Sequence, residues 1–303
     1  MRVKTSAPGK LMLFGEHSVV YNYPSIVTAV SSRLYVQIEK IRSGFKVESP
    51  QVKDVRFVEE TVKVFKEKYP FNFGLSIKTK SDFSSQYGFG SSSAVTVALL
   101  FGLAKICGVN LSKKEIFDLG YQINLNVQGV GSGFDIAAAT YGRTLYFLTG
   151  GKIIKKIKID KIPLIVAYSG IKADTPKIVK SLKKRIDSQK SFYFQIFDQI
   201  KEIVEKAYVF LEKKDWKNVG QLMNENHRLL QKIGVSTKKL DQLCEKAVES
   251  GALGAKLSGA GGGDCMIALV EDEKKELVKK ALEKTGSEVI EVYPNVLGVS
   301  EDE

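Results

Sequence analysis

The residue types best suited to chemistry fall in four short segments. In the first, Gly88, Gly90 and Ser91-Ser92-Ser93 stand directly before an apolar run at 95–100, with Tyr87 leading in. That order predicts a tight loop feeding the N-terminus of a buried helix. Free backbone N–H groups and the positive end of the helix dipole favour anions there. Glycine lets the backbone approach a ligand closely, and serine hydroxyls can bind phosphate oxygens or a metal ion. The chemistry would be phosphate handling. Alone, a Gly/Ser turn before a helix is equally a simple cap. The loop lacks the lysine of a Walker A motif.

The other three segments add charge and more glycine. Ala7-Pro8-Gly9-Lys10 reads as a rigid turn presenting one lysine ahead of Leu11-Met12-Leu13-Phe14-Gly15-Glu16-His17. Gln128-Gly129-Val130-Gly131-Ser132-Gly133-Phe134-Asp135 sets one carboxylate between a glycine-rich bend and an apolar run. The bland alternatives are a solvated lysine and a helix-capping aspartate. Lys256-Leu257-Ser258-Gly259-Ala260-Gly261-Gly262-Gly263-Asp264 is a second glycine cluster, between strand-like pieces. Consecutive glycines are costly to order, so a backbone passing close to a ligand is the expected reason for them.

These segments must be positioned by a mixed α+β framework. Strand patterns cover 34–38, 75–79, 144–148 and 163–167, and again 265–270 and 288–293. A helix apolar nearly all round is expected at 94–107. The capping box Ser112…Glu115 opens another. Further helices are expected at 175–186, 192–212, 218–232, 237–249 and 273–284. Gly150-Gly151 marks a plausible change of domain, giving residues 1–160 and 161–303. His227, among Asn224, Glu225, Asn226 and Arg228, reads as a helix-surface residue.

The bulk properties narrow the classes. The formal net charge is +12, which suits an anionic small molecule, nucleic acid or a membrane surface. Its lysines are interleaved with acids and form no basic arm, which argues against a nucleic-acid-binding module. Three separated cysteines and two isolated histidines predict neither a disulfide framework nor a zinc site. No apolar stretch reaches membrane-spanning length, and the first residues lack a signal-peptide core. A cytoplasmic enzyme, monomer or homodimer, without membrane or nucleic-acid partners is expected.

Taken together and in this order, APGKLMLFGEH at 7–17, YGFGSSSA at 87–94, GSGFD at 131–135 and KLSGAGGGDC at 256–265 resemble the signatures of the GHMP kinase superfamily. The resemblance spans almost the whole chain. It implies a two-domain α+β fold: an N-terminal domain like the second domain of ribosomal protein S5, carrying the ATP phosphate loop, and a ferredoxin-like C-terminal domain. It also implies ATP and Mg²⁺ as cofactors. By the same resemblance Lys10 and Asp135 are catalytic, and Tyr87, Gly88, Gly90, Ser91, Ser92 and Ser93 bind the nucleotide, Ser92 also holding the metal. The acceptor is expected to meet Lys10, Glu16, His17, Ser132, Gly133 and Asp135 from one side. Ser258, Gly259, Ala260, Gly261 and Gly262 approach it from the other.

Within the superfamily the signals divide. GEHSVV at 15–20 is similar to mevalonate kinases. Tyr87, the GSGFDIAAATYG stretch at 131–142 and Asp264 are similar to phosphomevalonate kinases. The expectation is therefore phosphorylation of mevalonate 5-phosphate to the diphosphate, with the 5-hydroxyl of mevalonate as the alternative acceptor. Two departures bear on it. Gln86 stands where phosphomevalonate kinases often have lysine. Asn124 stands where mevalonate kinases carry a magnesium-binding glutamate. Lys172, Lys177 and Arg143 are candidate cations for a phosphorylated acceptor.

Overall fold

The computed structural model describes residues 1–302. Two sheets organise the chain. The first is built on β1 (Arg2–Phe14) and β2 (Pro24–Ile41), an antiparallel pair in which Thr5 faces Val36 and Lys10 faces Ala29. The register shifts between Pro8 and Gly9. The Pro-Gly pair expected to form a turn is therefore an irregularity inside a long strand. A proline lacks the N–H that a regular ladder needs, which suits it to such a bulge.

β3 (Phe45–Glu48) and β4 (Gly74–Ser81) extend this sheet on one side, bracketing α1 (Arg56–Lys68). β5 (Thr144–Leu148) pairs with β2, and β6 (Ile153–Lys156) pairs with β5. The free side of β1 is covered by β11 (Ser300–Asp302) from the far end of the chain. The first sheet thus draws strands from both sides of residue 160.

Helix α2 (Ser91–Cys107) lies on this sheet, flanked by α1 and α3 (Lys113–Gln128). Val97, Leu99, Leu100 and Leu103 are wholly buried, as an apolar circumference requires. Ser112 accepts from the Glu115 N–H while the Glu115 carboxylate accepts from Ser112, the expected capping box. Short α4 (Phe134–Tyr141) follows the GSGFD bend and packs against β1 and α2.

The second sheet is antiparallel, in the order β10 (Glu288–Ile290), β7 (Leu164–Tyr168), β9 (Cys265–Leu269), β8 (Gly254–Ser258). α5 (Thr175–Ser188), α6 (Lys190–Glu212), α7 (Trp216–Lys232), α8 (Lys238–Glu249) and α9 (Lys275–Glu283) accompany it. α7 and α8 cover β8 directly. The two halves are joined by packed rings as well as by chain: Tyr21 stacks on Phe197 at 5.3 Å, and Tyr23 donates to Asp198 at 2.9 Å. No helix among the described residues is long and apolar enough to cross a membrane.

Candidate active site

Lys10 lies at the bulge of β1, where its backbone N–H donates to Phe89 O at 2.9 Å. That bond fixes the strand to the 87–90 loop. Its side chain runs beneath the loop, and Nζ donates to Gly88 O at 2.8 Å and sits 3.1 Å from Asp135 Oδ1. The Phe134 ring lies 5.3 Å from the same ammonium. Asp135 is in the first turn of α4, whose N-cap is Gly133. A carboxylate there is favoured by the helix dipole. Lysine, aspartate and loop therefore converge from three separate elements.

Gly90 shows how tightly they do so. It caps α2 at φ 76°, and a Cβ added there would lie 3.2 Å from Lys10 Cε and 3.4 Å from Asp135 Oδ1. No side chain caps α2 at that residue. The first-turn donors, on Ser91, Ser92 and Ser93, have no acceptor within the helix. An anion placed there meets N–H groups, three hydroxyl-bearing residues and the Lys10 ammonium.

The 15–17 and 258–260 segments are joined to each other. His17 takes φ 61° at the start of a short 3₁₀ turn (Ser18–Tyr21), and its Nε2 lies 2.9 Å from Ala260 O. Burial pushes its pKa down to about 4, so the ring is neutral near pH 7. A contact with a carbonyl assigns the proton to Nε2, leaving Nδ1 a lone pair. Glu16 is wholly buried and pairs with Lys256 rather than facing open space. Ser258 Oγ accepts from the Met12 N–H and donates to Met12 O, each at 3.0 Å.

The glycine cluster divides by cause. A Cβ on Gly261 would fall 2.1 Å from Val235 O, and one on Gly262 would fall 2.4 Å from the Ile178 side chain. Those two are demanded by packing inside the second domain. Gly259, at φ 98°, has nothing near its Cβ direction and faces open space. The sequence attributes the whole run to a ligand, whereas the structure leaves that reason to Gly259 alone among these three.

Other expected contributors are held elsewhere. Tyr87 donates to Glu288 at 2.7 Å, and burial together with that carboxylate pushes its pKa up to about 12. Gln86 Oε1 accepts from Tyr168 at 3.3 Å. Asp264, mostly buried at φ 56°, accepts from Ala173 N–H at 2.9 Å, and burial raises its pKa. Its Oδ2 lies only 2.4 Å from where a Gly88 Cβ would be, which requires glycine at 88. The backbone carbonyl of Ser132 accepts from Gly150 N–H. Arg143 donates to Asn295 O, and Lys177 lies in the first turn of α5, where its N–H is capped by Asp174.

His227 departs from its expected surface position. It is buried on α7, where Nδ1 accepts from Leu257 N–H at 3.3 Å and Nε2 lies 3.1 Å from Asp241 Oδ1. The surrounding Asn and Glu residues suggested solvent, but β8 covers this face.

For a cation the described residues offer no cluster of three His, Cys, Asp or Glu. They do offer Ser92 in the first turn of α2 and the carbonyl of Asn124 on α3. Asn124 Oδ1 is buried without a hydrogen-bond partner and points toward Gly131, 3.1 Å from where its Cβ would be. So few protein oxygens would suit only Mg²⁺, which keeps several waters and relies on phosphate oxygens.

Comparison with known proteins accords with this arrangement. The GHMP kinases N terminal domain model matches residues 56–143, and the GHMP kinases C terminal model matches 204–288. A mevalonate kinase of Thermococcus sibiricus is 33% identical over 91% of this chain and 92% of its own length. One from Pyrococcus furiosus is 34% identical over 91% and 92%. The chain belongs to the GHMP kinase family. Among solved structures, L. major mevalonate kinase in complex with R-mevalonate superposes with a TM-score of 0.85 at 27% identity, over 97% and 96% of the two chains. Streptococcus pneumoniae phosphomevalonate kinase reaches 0.84 at 20% identity over 97% and 99%, a likeness of fold. As a GHMP kinase the protein has ATP as its family's phosphoryl donor, and the mevalonate pathway is the setting its relatives share. The order of acceptors expected from the sequence is not supported, because the relatives by sequence are mevalonate kinases.

Proposed function

We propose that this GHMP kinase transfers the γ-phosphoryl group of ATP to the 5-hydroxyl of mevalonate. The observation that carries this reading is the Lys10–Asp135 pair set directly beneath the N-terminal loop of α2, in a chain whose relatives are mevalonate kinases. Phosphoryl transfer depends chiefly on alignment and on neutralising charge. The first-turn N–H groups of α2 and the hydroxyls of Ser91 and Ser92 would hold the β- and γ-phosphates. Lys10 would balance charge between the γ-phosphate and the acceptor oxygen. Asp135 would orient Lys10 and accept the hydroxyl proton as that oxygen attacks.

The acceptor side is consistent with an alcohol. A phosphorylated acceptor is largely a dianion near neutral pH, its second pKa being about 6, and would gain from added cations. Gln86 is neutral and engaged by Tyr168, while Asp264 and Glu288 add negative charge nearby. His17 Nδ1 would accept a hydrogen bond from an acceptor hydroxyl. Ser92 and Asn124 would supply protein oxygens to Mg²⁺, whose chemistry is charge neutralisation on the triphosphate. Coupled ADP release with mevalonate and with mevalonate 5-phosphate tests the assignment. Turnover with mevalonate alone is expected, and turnover with the monophosphate alone would overturn it.

A further inference from the structure

Lys256 has no role in the chemistry above, yet it is among the most deeply buried side chains of the molecule. It lies on β8 in the second domain, and its ammonium binds both Leu257 O and the carboxylate of Glu16 from the first. Neither side chain has any exposure. Two charges removed from water gain little net stability over an apolar pair of the same shape, although losing one partner is severe. An ion pair at this location is therefore poorly explained as a device for holding the halves together.

Its neighbours suggest what it does. Glu16 is followed by His17, held at positive φ with its ring against Ala260 O. Lys256 is followed at two residues by Ser258, clasped to the backbone of Met12, and then by Gly259, which faces open space. The pair thus joins the segment carrying His17 to the strand that delivers 258–260. Lys10, Asp135 and the loop of α2 lie within the first domain and do not depend on it.

We infer that Lys256 is a positioning residue: through Glu16 it sets His17 and the 258–260 backbone over the acceptor, leaving the nucleotide side unchanged. Glu16 then acts on Lys256 and not on the acceptor. This rests on the proposed acceptor reading for its kinetic consequences, but its structural content can be read separately.

The test uses the full chain with Lys256→Met, Glu16→Gln and the double variant, in which an uncharged pair replaces the charged one. For Lys256→Met, kcat with mevalonate should fall at least about tenfold, with nucleotide affinity, measured directly by calorimetry, within about twofold of the parent. The double variant should regain most of the lost kcat, which a lysine acting on substrate could not do. The chain holds only two histidines, so ring NMR gives a readout independent of turnover. His17 should titrate near 4 in the parent and the double variant, and move toward 6.5 in Lys256→Met as its ring is released. If Lys256→Met fails to fold, Glu16→Gln and the double variant still decide. A double variant no better than the single one, or Glu16→Gln raising only the KM for mevalonate, would overturn the inference. Failure of the parent to use mevalonate would instead overturn the acceptor reading, while the NMR result would still stand or fall for the positioning pair.

Discussion

Two glycine-rich loops of similar composition, at 87–90 and 259–263, are glycine-rich for different reasons. In the 87–90 loop one missing side chain makes room for the proposed reacting groups and the other for the buried Asp264. Gly90 lies against Lys10 and Asp135, and Gly88 against Asp264. In the 259–263 loop, Gly261 and Gly262 make room for the protein's own second domain, against Val235 and Ile178. Composition alone marks both as ligand loops. Geometry separates a loop shaped by chemistry from one shaped largely by packing.

The largest effect should come from the groups that only the first loop surrounds. Lys10→Ala should lower kcat/KM by about three orders of magnitude or more, and Asp135→Asn by about two to four, as loss of a positioned acid–base group does. In both variants the loss of rate should exceed what any fall in melting temperature accounts for. An unchanged rate for Lys10→Ala would remove the basis of the site. The next effect breaks the comparison directly. Gly261→Ala forces a Cβ into Val235 O and should cost about 2 kcal/mol or more of stability. Its folded fraction should retain near-parental kcat. Gly90→Ala should show the converse pattern: a loss of stability of about 1–2 kcal/mol from the left-handed backbone, and a kcat loss well beyond it. Identical patterns in the two would erase the distinction.

A smaller effect tests His17 by pH. His17 has its pKa lowered in the folded state, so the unfolded chain binds more protons between about 6.5 and 4. The stability that depends on neutral His17 is present above 6.5 and is lost as pH falls toward 4. The full change is about 3 kcal/mol. Comparing melting temperatures of the parent and His17→Asn across this range separates the His17 contribution from that of Glu16, whose carboxyl is pushed by burial above its usual range. The variant should lose less stability on acidification. Smallest of all, Tyr87→Phe removes one hydrogen bond to Glu288 and should cost about 1 kcal/mol. It should leave kcat little changed if Tyr87 serves the domain contact rather than the nucleotide.

Much of the frame can be read from the residues, as can the meeting of Lys10, Asp135 and the 87–90 loop. The helices at α2, α6, α7 and α8 follow from periodicity, and the Ser112–Glu115 box marks the start of α3 to the residue. What escapes is set by tertiary contact. Pro8-Gly9 has the composition of a turn, but β2 recruits it into a strand. His227 has polar neighbours along the sequence, and only β8 makes it a buried acceptor. Glu16 is expected as an acceptor contact from the family resemblance of the 15–20 segment, and nothing local shows that Lys256, far along the chain, claims its carboxylate. The acceptor is misordered by residues such as Tyr87 and Asp264, whose partners prove to be protein groups.

The pairing of β11 with β1 has a consequence for biosynthesis. β1 carries Lys10, and its outer edge is completed only by residues 300–302, with Asp302 accepting from Ser6 and Arg33 donating to Gly298 O and Ser300. During translation that edge stays open until residues 300–302 have emerged. A nascent first half therefore exposes an unpaired strand edge at Lys4–Ser6, upstream of Lys10 on the same strand, a hazard for edge-to-edge aggregation. Folding of the first half is thereby tied to completion of the second.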